Sequence, residues 1–469
     1  MLALLLAGCG SSGGASEDDP VLHWNEIAQR VAGRDHEPIE PSQDPRSNGW
    51  QVGPTRTSRA FAMVQIAVAD VAADFSGAYA PFYAADQPRQ PTSLPAAIGQ
   101  AAHDVLVALY PKQADAIDAD LDTFFDGVPN DIARTRGIAF GSAQAAAVLA
   151  ARAHDGSDLQ TPFQPVEYVY GQLPGEWRAD PTTLQLNPLT PDWGAVLPFV
   201  MAGSAQFRAP PPPALDSPEY TAAFNEVKGL GGDGEQTPTL RSEDETLAAI
   251  FWAYDGQPFL CAPVKLYNQI AVMLARQTHL TTLQNARLLG LINVAMADAA
   301  IALWETKYYY NFWRPVGGIR EADSGSGPSG AGDGNPDTVG DPTWRPLGSP
   351  VDYNGLPLRN FTPPFPSYSS GHAGFGAALF QVLRRFFARD DMTFTVVSDE
   401  LNGVTVDQNG AVRPLRPRTF TSFSQAEEEN AQSRIWLGVH WGFDKTAGLA
   451  QGHAIGELVY EQAFRPRSK

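Results

Sequence analysis

A predominantly helical fold is what this sequence predicts, and two observations carry the prediction. Apolar residues recur at three- and four-residue intervals over long segments, which is the period of an amphipathic helix. Between those segments lie Pro- and Gly-rich stretches of the kind that stop helices. The 469 residues are 43% hydrophobic and 18% charged, an ordinary balance for a folded protein with a large core. Length alone suggests roughly three domains.

In chain order, helical periodicity runs over 58–75, 96–110 and 131–154. Small residues fill the middle of the third segment (Gly141, Ser142, Ala143, then 145–147), which suits close helix packing. From 156 to 198 the pattern gives way to a Pro-punctuated loop, with Trp177 and Trp193 as its anchors. The four prolines 210–213 cannot continue a helix and favour an extended segment. They place a boundary between an N-terminal half, 21–215, and a C-terminal half, 216–469. The same prolines could equally form a loop wrapped over one continuous body.

The helical pattern returns over 243–254, 263–276 and the long run 281–312. An irregular loop rich in Gly, Pro, Ser and Asp fills 323–350; loops of this length are usually functional or disordered. Its Asp333, Asp337 and Asp341 have no EF-hand spacing and read as a solvated loop. A strongly amphipathic helix follows over 372–389. Alternation over 393–406 suggests short strands, with Asn409-Gly410 as a hairpin turn. A last helical region spans 425–464.

Composition excludes some functions. A formal net charge of −19 argues against nucleic acid or an anionic membrane surface as partner. Two cysteines give no disulfide framework and no thiolate metal site, and Cys261 in its apolar run reads as a small buried hydrophobe. Residues 1–8 are apolar and small, and Leu6-Ala7-Gly8-Cys9 resembles the lipobox of bacterial lipoproteins. Cys9 would be the lipidated residue and 10–19 a flexible tether, although no Lys or Arg precedes the apolar run. That reading places the protein at the bacterial cell envelope, touching a membrane only through the lipid. No later segment has the ~18 uninterrupted apolar residues of a membrane span.

Three stretches carry chemistry. Lys307 and Arg314 stand seven apart and would project from one face of a continuous helix, ~20° apart. Tyr308, Tyr309, Tyr310, Asn311, Phe312 and Trp313 lie between them, so both cations should be partly buried and need an anion. Ser370-Gly371-His372 opens a helix, where free N–H groups and the helix dipole receive oxyanions. Ser370 by itself would be an N-cap; Gly371 allows close backbone approach, and His372 can donate a proton. His440 and Asp444 stand at i and i+4, where the carboxylate can hold one ring nitrogen's proton and leave the other nitrogen as a lone-pair donor. Arg434 would lie ~120° from His440 on a regular helix. Either the helix is distorted near Gly438 or the arginine arm reaches around. His23, His36, His103, His154 and His279 lack such company, and His453 reads as structural. Together the three stretches form the inventory of a site for a tetrahedral oxyanion.

Lys307-x6-Arg314-Pro315, Ser370-Gly371-His372 and Ser433-Arg434-x5-His440-x3-Asp444 resemble the three-part signature of the vanadium-dependent haloperoxidase and type 2 phosphatidic acid phosphatase superfamily. With about ten specified positions in order, chance is a negligible explanation. The likeness runs through nearly all of the mature chain and is nearest to soluble bacterial vanadium-haloperoxidase-related proteins.

The resemblance implies an all-α fold of two four-helix bundles with the oxyanion in the second. It implies vanadate as cofactor, with phosphate able to occupy the same site. Lys307, Arg314, Ser370, Gly371 and Arg434 would bind its oxygens, His440 would ligate vanadium, His372 would be the acid–base residue, and Lys307 would also withdraw charge. Asp444 would orient His440. The reaction implied is oxidation of halide by hydrogen peroxide to a hypohalous acid equivalent that halogenates a small organic substrate.

Phosphatases share the signature, with His440 attacking phosphorus and His372 protonating the leaving group, and a non-catalytic oxyanion-binding protein would keep the cations. The chain's size, its lack of the membrane helices of lipid phosphatases, and the positions of Trp304 and Phe365 favour the haloperoxidase. Trp304 and Phe365 match halide-pocket aromatics of fungal-type chloroperoxidases, Phe365 standing where algal bromoperoxidases carry histidine. One departure is Ser369, where many members have proline; its hydroxyl is expected to alter the pocket's polarity.

Overall fold

The computed structural model describes residues 19–37, 49–83, 88, 90–158, 167–182, 187–255, 260–353, 356–406 and 411–467. Cys9, residues 10–18 of its tether and the Asn409-Gly410 turn lie outside the described residues; Asp19, expected at the end of the flexible tether, is buried and caps α1. Among the described residues the elements are helical, with four short strands. The first group is α1 (Pro20–Asp35), α2 (Gly53–Ser76), α3 (Leu94–Leu109), α4 (Ala114–Asp126) and α5 (Ile132–Ala151). Next come α6 (Pro218–Leu230), α7 (Glu243–Phe251) and α8 (Pro263–Gln277). The second group holds α9 (Thr282–Tyr310), the short α10 (Pro315–Arg320), α11 (Gly371–Phe387), α12 (Phe423–Trp436) and α13 (Gly442–Gln462).

Helix starts follow the local chemistry. Ser242 with Glu245, and Thr281 with Gln284, form reciprocal capping boxes at α7 and α9. In the N-terminal bundle α2, α3 and α5 pack mutually, with α1 against α2 and α3. The second bundle is α9, α11, α12 and α13. Helix α9 also packs on α2, so one apolar core runs from Trp24 on α1 and Val68 on α2 to Leu291 on α9 and Leu379 on α11. By length and composition α9 could cross a membrane, yet its most apolar window is wholly buried within the protein. Trp177 and Trp193 are buried, as expected of loop anchors, and Cys261 is buried as well.

Two expected helical runs are broken. The run 281–312 ends at Tyr310, because Asn311 adopts a left-handed conformation (φ 52°) and closes α9. The run 425–464 is two helices: the chain leaves α12 at Trp436, turns at Gly438 (φ 74°) and re-enters a helix at Gly442. A Cβ on Gly438 would stand 2.5 Å from the Gly231 carbonyl oxygen, so both conformation and space demand glycine there.

The strands are marginal. Strands β1 (Ser349–Tyr353) and β2 (Leu356–Phe361) pair antiparallel at the end of the Gly/Pro-rich loop. Strand β3 (Phe394–Val396) falls in the expected strand region but pairs with β4 (Arg418–Phe420). Bridges Asn402–Leu415 and Val406–Val412 extend that pairing outward. Within the loop before β1, Asp333 accepts from Asn335 N–H and Thr338 Oγ; among the described residues no cluster of three or more acidic, His or Cys side chains is placed to hold a metal ion.

The tight contact between α11 and α13 positions the site. Along α13 Gly448, Gly452 and Gly456 face α11, and a Cβ on Gly452 would lie 2.2 Å from the Gly374 carbonyl oxygen. The same approach brings Gly448 onto α11, where a Cβ would stand 2.5 Å from the Ser370 carbonyl oxygen. Gly452→Val should therefore separate α11 from α13. We expect a loss at or above the ~1–3 kcal/mol typical of overpacking, read as a lowered Tm in thermal denaturation. A variant melting within about 2 °C of wild type would contradict this packing account.

Candidate oxyanion site

The last turns of α9 carry Trp304 and Lys307, both fully buried. Because Asn311 ends the helix, Lys307 and Arg314 do not share a helical face as expected from their spacing; Arg314 is the N-cap of α10. The turn nevertheless returns both cations to one place. Lys307 Nζ lies 5.0 Å and Arg314 Cζ 4.7 Å from the centroid of the Phe365 ring.

Between Phe361 and α11 the chain wraps these cations. Lys307 Nζ donates to the carbonyl oxygens of Pro366 (3.1 Å), Ser367 (2.9 Å) and Ser369. Arg314 Nε donates to the Phe365 carbonyl at 2.9 Å. Buried carbonyls of an irregular loop need donors, and here the cations supply them. All three Lys307 protons are thereby engaged, so Lys307 meets a ligand mainly as a fixed positive charge. Sequence reasoning did not anticipate this clamp.

Ser370 is the N-cap of α11 by position, but its side chain makes no capping bond; its N–H donates to the Asp444 carbonyl at 3.0 Å. Gly371 and His372 open the helix, whose first amides have no partner inside it. The Ser369 hydroxyl does not reach the pocket as its position suggested. It donates to Gln451 Oε1 on α13, and Gln451 Nε2 in turn donates to Thr306 Oγ at 2.9 Å.

Contrary to the helical-face expectation, His440 precedes α13, in the link created by Gly438. Asp444 is the third residue of α13 and caps its start, accepting from Trp441 N–H at 3.1 Å. That capping carboxylate also faces His440 Nδ1 at 2.8 Å. On the other side of the ring, Arg314 Nη1 stands 2.9 Å from His440 Nε2. Guanidinium can only donate, so Nε2 accepts and Nδ1 carries the proton. His440 is thus fixed with its Nε2 lone pair toward the cations.

Arg434 lies in the last turn of α12, and its Nη2 donates to Asp255 Oδ2 at 2.6 Å. Asp255 also accepts from Ser349 Oγ. Asp255 had no sequence signal, since 179 residues separate it from Arg434. His372 Nε2 donates to the Ala253 carbonyl at 2.7 Å, and its own carbonyl accepts from Asn430 Nδ2 at 2.9 Å. Trp304 and Phe365 form an aromatic wall with ring centroids 4.8 Å apart, and Trp304 Nε1 donates to the Leu189 carbonyl.

Burial, then Arg314, drives Lys307 well below its ordinary pKa, with Asp444 pulling the other way. Burial takes Arg314 down to about 9, and burial with Arg434 takes His372 down to about 3. Burial and the surrounding cations hold His440 well below its usual value. Asp444 is pushed up to about 6 by burial, against Ser367, Trp441 N–H and the cations. Burial would raise Asp255 too, but Arg434 and His372 outweigh it and leave the carboxyl below its usual range. Lys307, Arg314, His372 and His440 share one direction: positive charge is disfavoured where water is excluded and cations crowd together, and an anion would relieve it.

Whether an oxyanion fits is decided by the unused donors. Arg314 Nη2, Arg434 Nε, Arg434 Nη1 and Ser370 Oγ are buried with no hydrogen-bond partner among the described residues. Such groups are costly to leave unmade, and these come from all three stretches. Gly371 adds room: a Cβ there would meet nothing of the protein closer than 3.7 Å, so packing does not require the glycine. The donor set fits a tetrahedral oxyanion, with His440 Nε2 offering one lone pair.

Residues 287–469 match the family described as the VCPO second helical-bundle domain. The chain is 36% identical over 282 residues to vanadium chloroperoxidase of Curvularia inaequalis, covering 52% of this chain and 44% of that protein. The match therefore spans less than half the length of that curated relative. A bacterial vanadium-dependent iodoperoxidase superposes with a TM-score of 0.73 at 23% identity, covering 98% of this chain and 100% of its own. The holo form of a bacterial vanadium-dependent chloroperoxidase gives 0.65 at 18% identity, covering 89% and 94%. These two structural likenesses concern the fold. With the family match over 287–469 and the curated relative beside them, this chain is similar to vanadium haloperoxidases in sequence as well as in fold.

Proposed function

We propose that the chain is a vanadate-dependent haloperoxidase, oxidising halide with hydrogen peroxide to a hypohalous acid equivalent that halogenates small organic substrates. The observation that carries this reading is the set of buried donors without partners, Arg314 Nη2, Arg434 Nε and Nη1 and Ser370 Oγ, around a histidine whose Nε2 lone pair is fixed. Arg314, Arg434, Ser370 and the Gly371 amide would hold the oxygens, and His440 would ligate vanadium through Nε2. Bound vanadate would supply a vanadium(V) Lewis acid able to polarise hydrogen peroxide toward halide attack.

The protein's own groups do the remainder. Three carbonyls hold Lys307 in place beside the site, and a bound anion would favour its charged form. Asp444 keeps the proton on His440 Nδ1. His372, held neutral by its protein surroundings, is placed at the α11 N-terminus to exchange protons with a bound oxygen.

The test is competition. Vanadate should activate peroxide-dependent halogenation of a phenol dye, and phosphate, alike in shape and charge, should suppress it. Hydrolysis of phosphate esters with no halide oxidation under vanadate would overturn the proposal in favour of a phosphatase.

The aromatic wall makes a second expectation. Phe365 lies against Trp304 and under both cations, so it lowers the polarity of the halide's approach. Phe365→His should move the bromide-to-chloride activity ratio toward bromide by about tenfold, the scale of a single-group change in a pocket. Equal loss with both halides would mean the ring only packs.

A further inference from the structure

Ser367 is a residue that neither the three signature stretches nor the charge inventory singles out. It is fully buried, and every polar group it has is engaged. Its N–H donates to the Phe312 carbonyl at 2.8 Å, just past the end of α9. Its carbonyl takes a Lys307 proton at 2.9 Å. Its hydroxyl donates to Asp444 Oδ2 and stands 3.4 Å from His440 Nδ1. One residue thus ties the Lys307 clamp to the pair that sets His440.

The asymmetry of Asp444 shows what the hydroxyl does. Oδ2 receives three donors: His440 Nδ1–H, Trp441 N–H and Ser367 Oγ–H. Oδ1 has no hydrogen-bond partner among the described residues. Nothing on Oδ1 resists rotation of the carboxylate, so its orientation rests on those three contacts. The backbone N–H holds Oδ2 from the helix side. Ser367 holds it from the loop before α11, closing a triangle of Ser367 Oγ, Asp444 Oδ2 and His440 Nδ1. Without the hydroxyl, the carboxylate and the imidazole it holds can turn together, and the Nε2 lone pair loses its fixed aim.

We propose that Ser367 is a positioning residue for His440, acting through Asp444 to aim Nε2 at the oxyanion. The inference deepens the vanadate reading above and rests on it. It separates two kinds of binding at one site. Phosphate is held by charge and by donors from Arg314, Arg434 and Ser370, none of which touches the Ser367 hydroxyl. Vanadate adds a bond to Nε2, and that bond depends on the imidazole's aim.

The measurement is the ratio of vanadate to phosphate affinity, by calorimetry without peroxide or halide, for wild type and Ser367→Ala. Loss of a group orienting a metal ligand typically costs about 10–100-fold in metal affinity. We expect vanadate affinity to fall in that range while phosphate affinity stays within about threefold, with Tm little changed. A ratio equal to wild type, or vanadate and phosphate falling together, would overturn the proposal. Ser367→Cys keeps the size and supplies a weaker donor, so it should give an intermediate ratio. If Ser367→Ala does not fold, a stable Ser367→Cys with the wild-type ratio is enough to overturn it. Absence of any vanadate preference in wild type would instead bring down the vanadate reading, and this inference with it.

Discussion

His440→Ala should retain weak binding of phosphate and vanadate and lose nearly all haloperoxidase turnover. The variant keeps Lys307, Arg314 and Arg434, whose charge and unpaired donors do not depend on the imidazole. What it loses is Nε2, fixed between Arg314 Nη1 at 2.9 Å and the Nδ1 contact to Asp444 at 2.8 Å. Vanadate affinity should fall by more than the ~10–100-fold typical when only an orienting partner is removed. Phosphate affinity should change far less, because Arg314 Nη1 is freed to donate to it. Calorimetry with each anion, beside initial rates of dye halogenation, reads both effects. Equal loss of the two anions would mean that His440 serves the fold of the site and not the metal.

His372→Ala should do the opposite: keep most of the vanadate affinity and lose rate by ~10²–10⁴-fold, the usual span for a general acid–base group. The protein surroundings of His372 disfavour imidazolium, because burial and Arg434 depress it to about 3 while Asp255 only partly compensates. A bound dianion acts against both causes, so His372 should have a higher pKa in the complex than in the free protein. The sign then follows from linkage: the complex binds the extra proton, so the His372 contribution to oxyanion affinity grows as pH falls through the bound-state pKa. NMR titration of His372 with and without phosphate measures the shift directly. An imidazole that titrates identically in both states would remove His372 from proton transfer. Should His372→Ala abolish vanadate binding while His440→Ala spares it, the two roles are inverted.

Much of this site was legible because its residues sit in three short stretches at characteristic spacings. Their geometry was less so. Lys307 and Arg314 meet because Asn311 breaks the helix, where spacing had placed them on one continuous face. His440 and Asp444 do pair, but as a pre-helix residue facing the helix's own capping carboxylate. The i, i+4 offset is common to both arrangements, so sequence could not tell them apart. Gly438 was the visible clue to the break, since only a left-handed turn there frees His440 from α12.

What the sequence hid is contact across long separations. Asp255 holds Arg434 from the link after α7, and Gln451 takes the Ser369 hydroxyl from mid-α13. Neither has a neighbour in sequence that hints at its role. Backbone was also invisible: the carbonyls of 365, 366, 367 and 369 engage the cations, and no pattern of side chains announces them. For the fold, the apolar periodicity over 263–276 returned as α8 within one residue, and that over 58–75 returned as α2, which starts earlier, at Gly53. The short strands β1 and β2 carried no comparable period and lay within or just beyond a stretch read as loop.

Three stretches converge on one oxyanion site, in which His440 Nε2 is the atom that would bond vanadium. A crystal structure of the protein soaked in orthovanadate tests it most directly. It should show one vanadate bonded to His440 Nε2, with Arg314 Nη2, Arg434 Nε and Nη1 and Ser370 Oγ donating to its oxygens and Asp444 still on Nδ1. Vanadate bound elsewhere, or bound by the cations while Nε2 remains paired with Arg314, would contradict it.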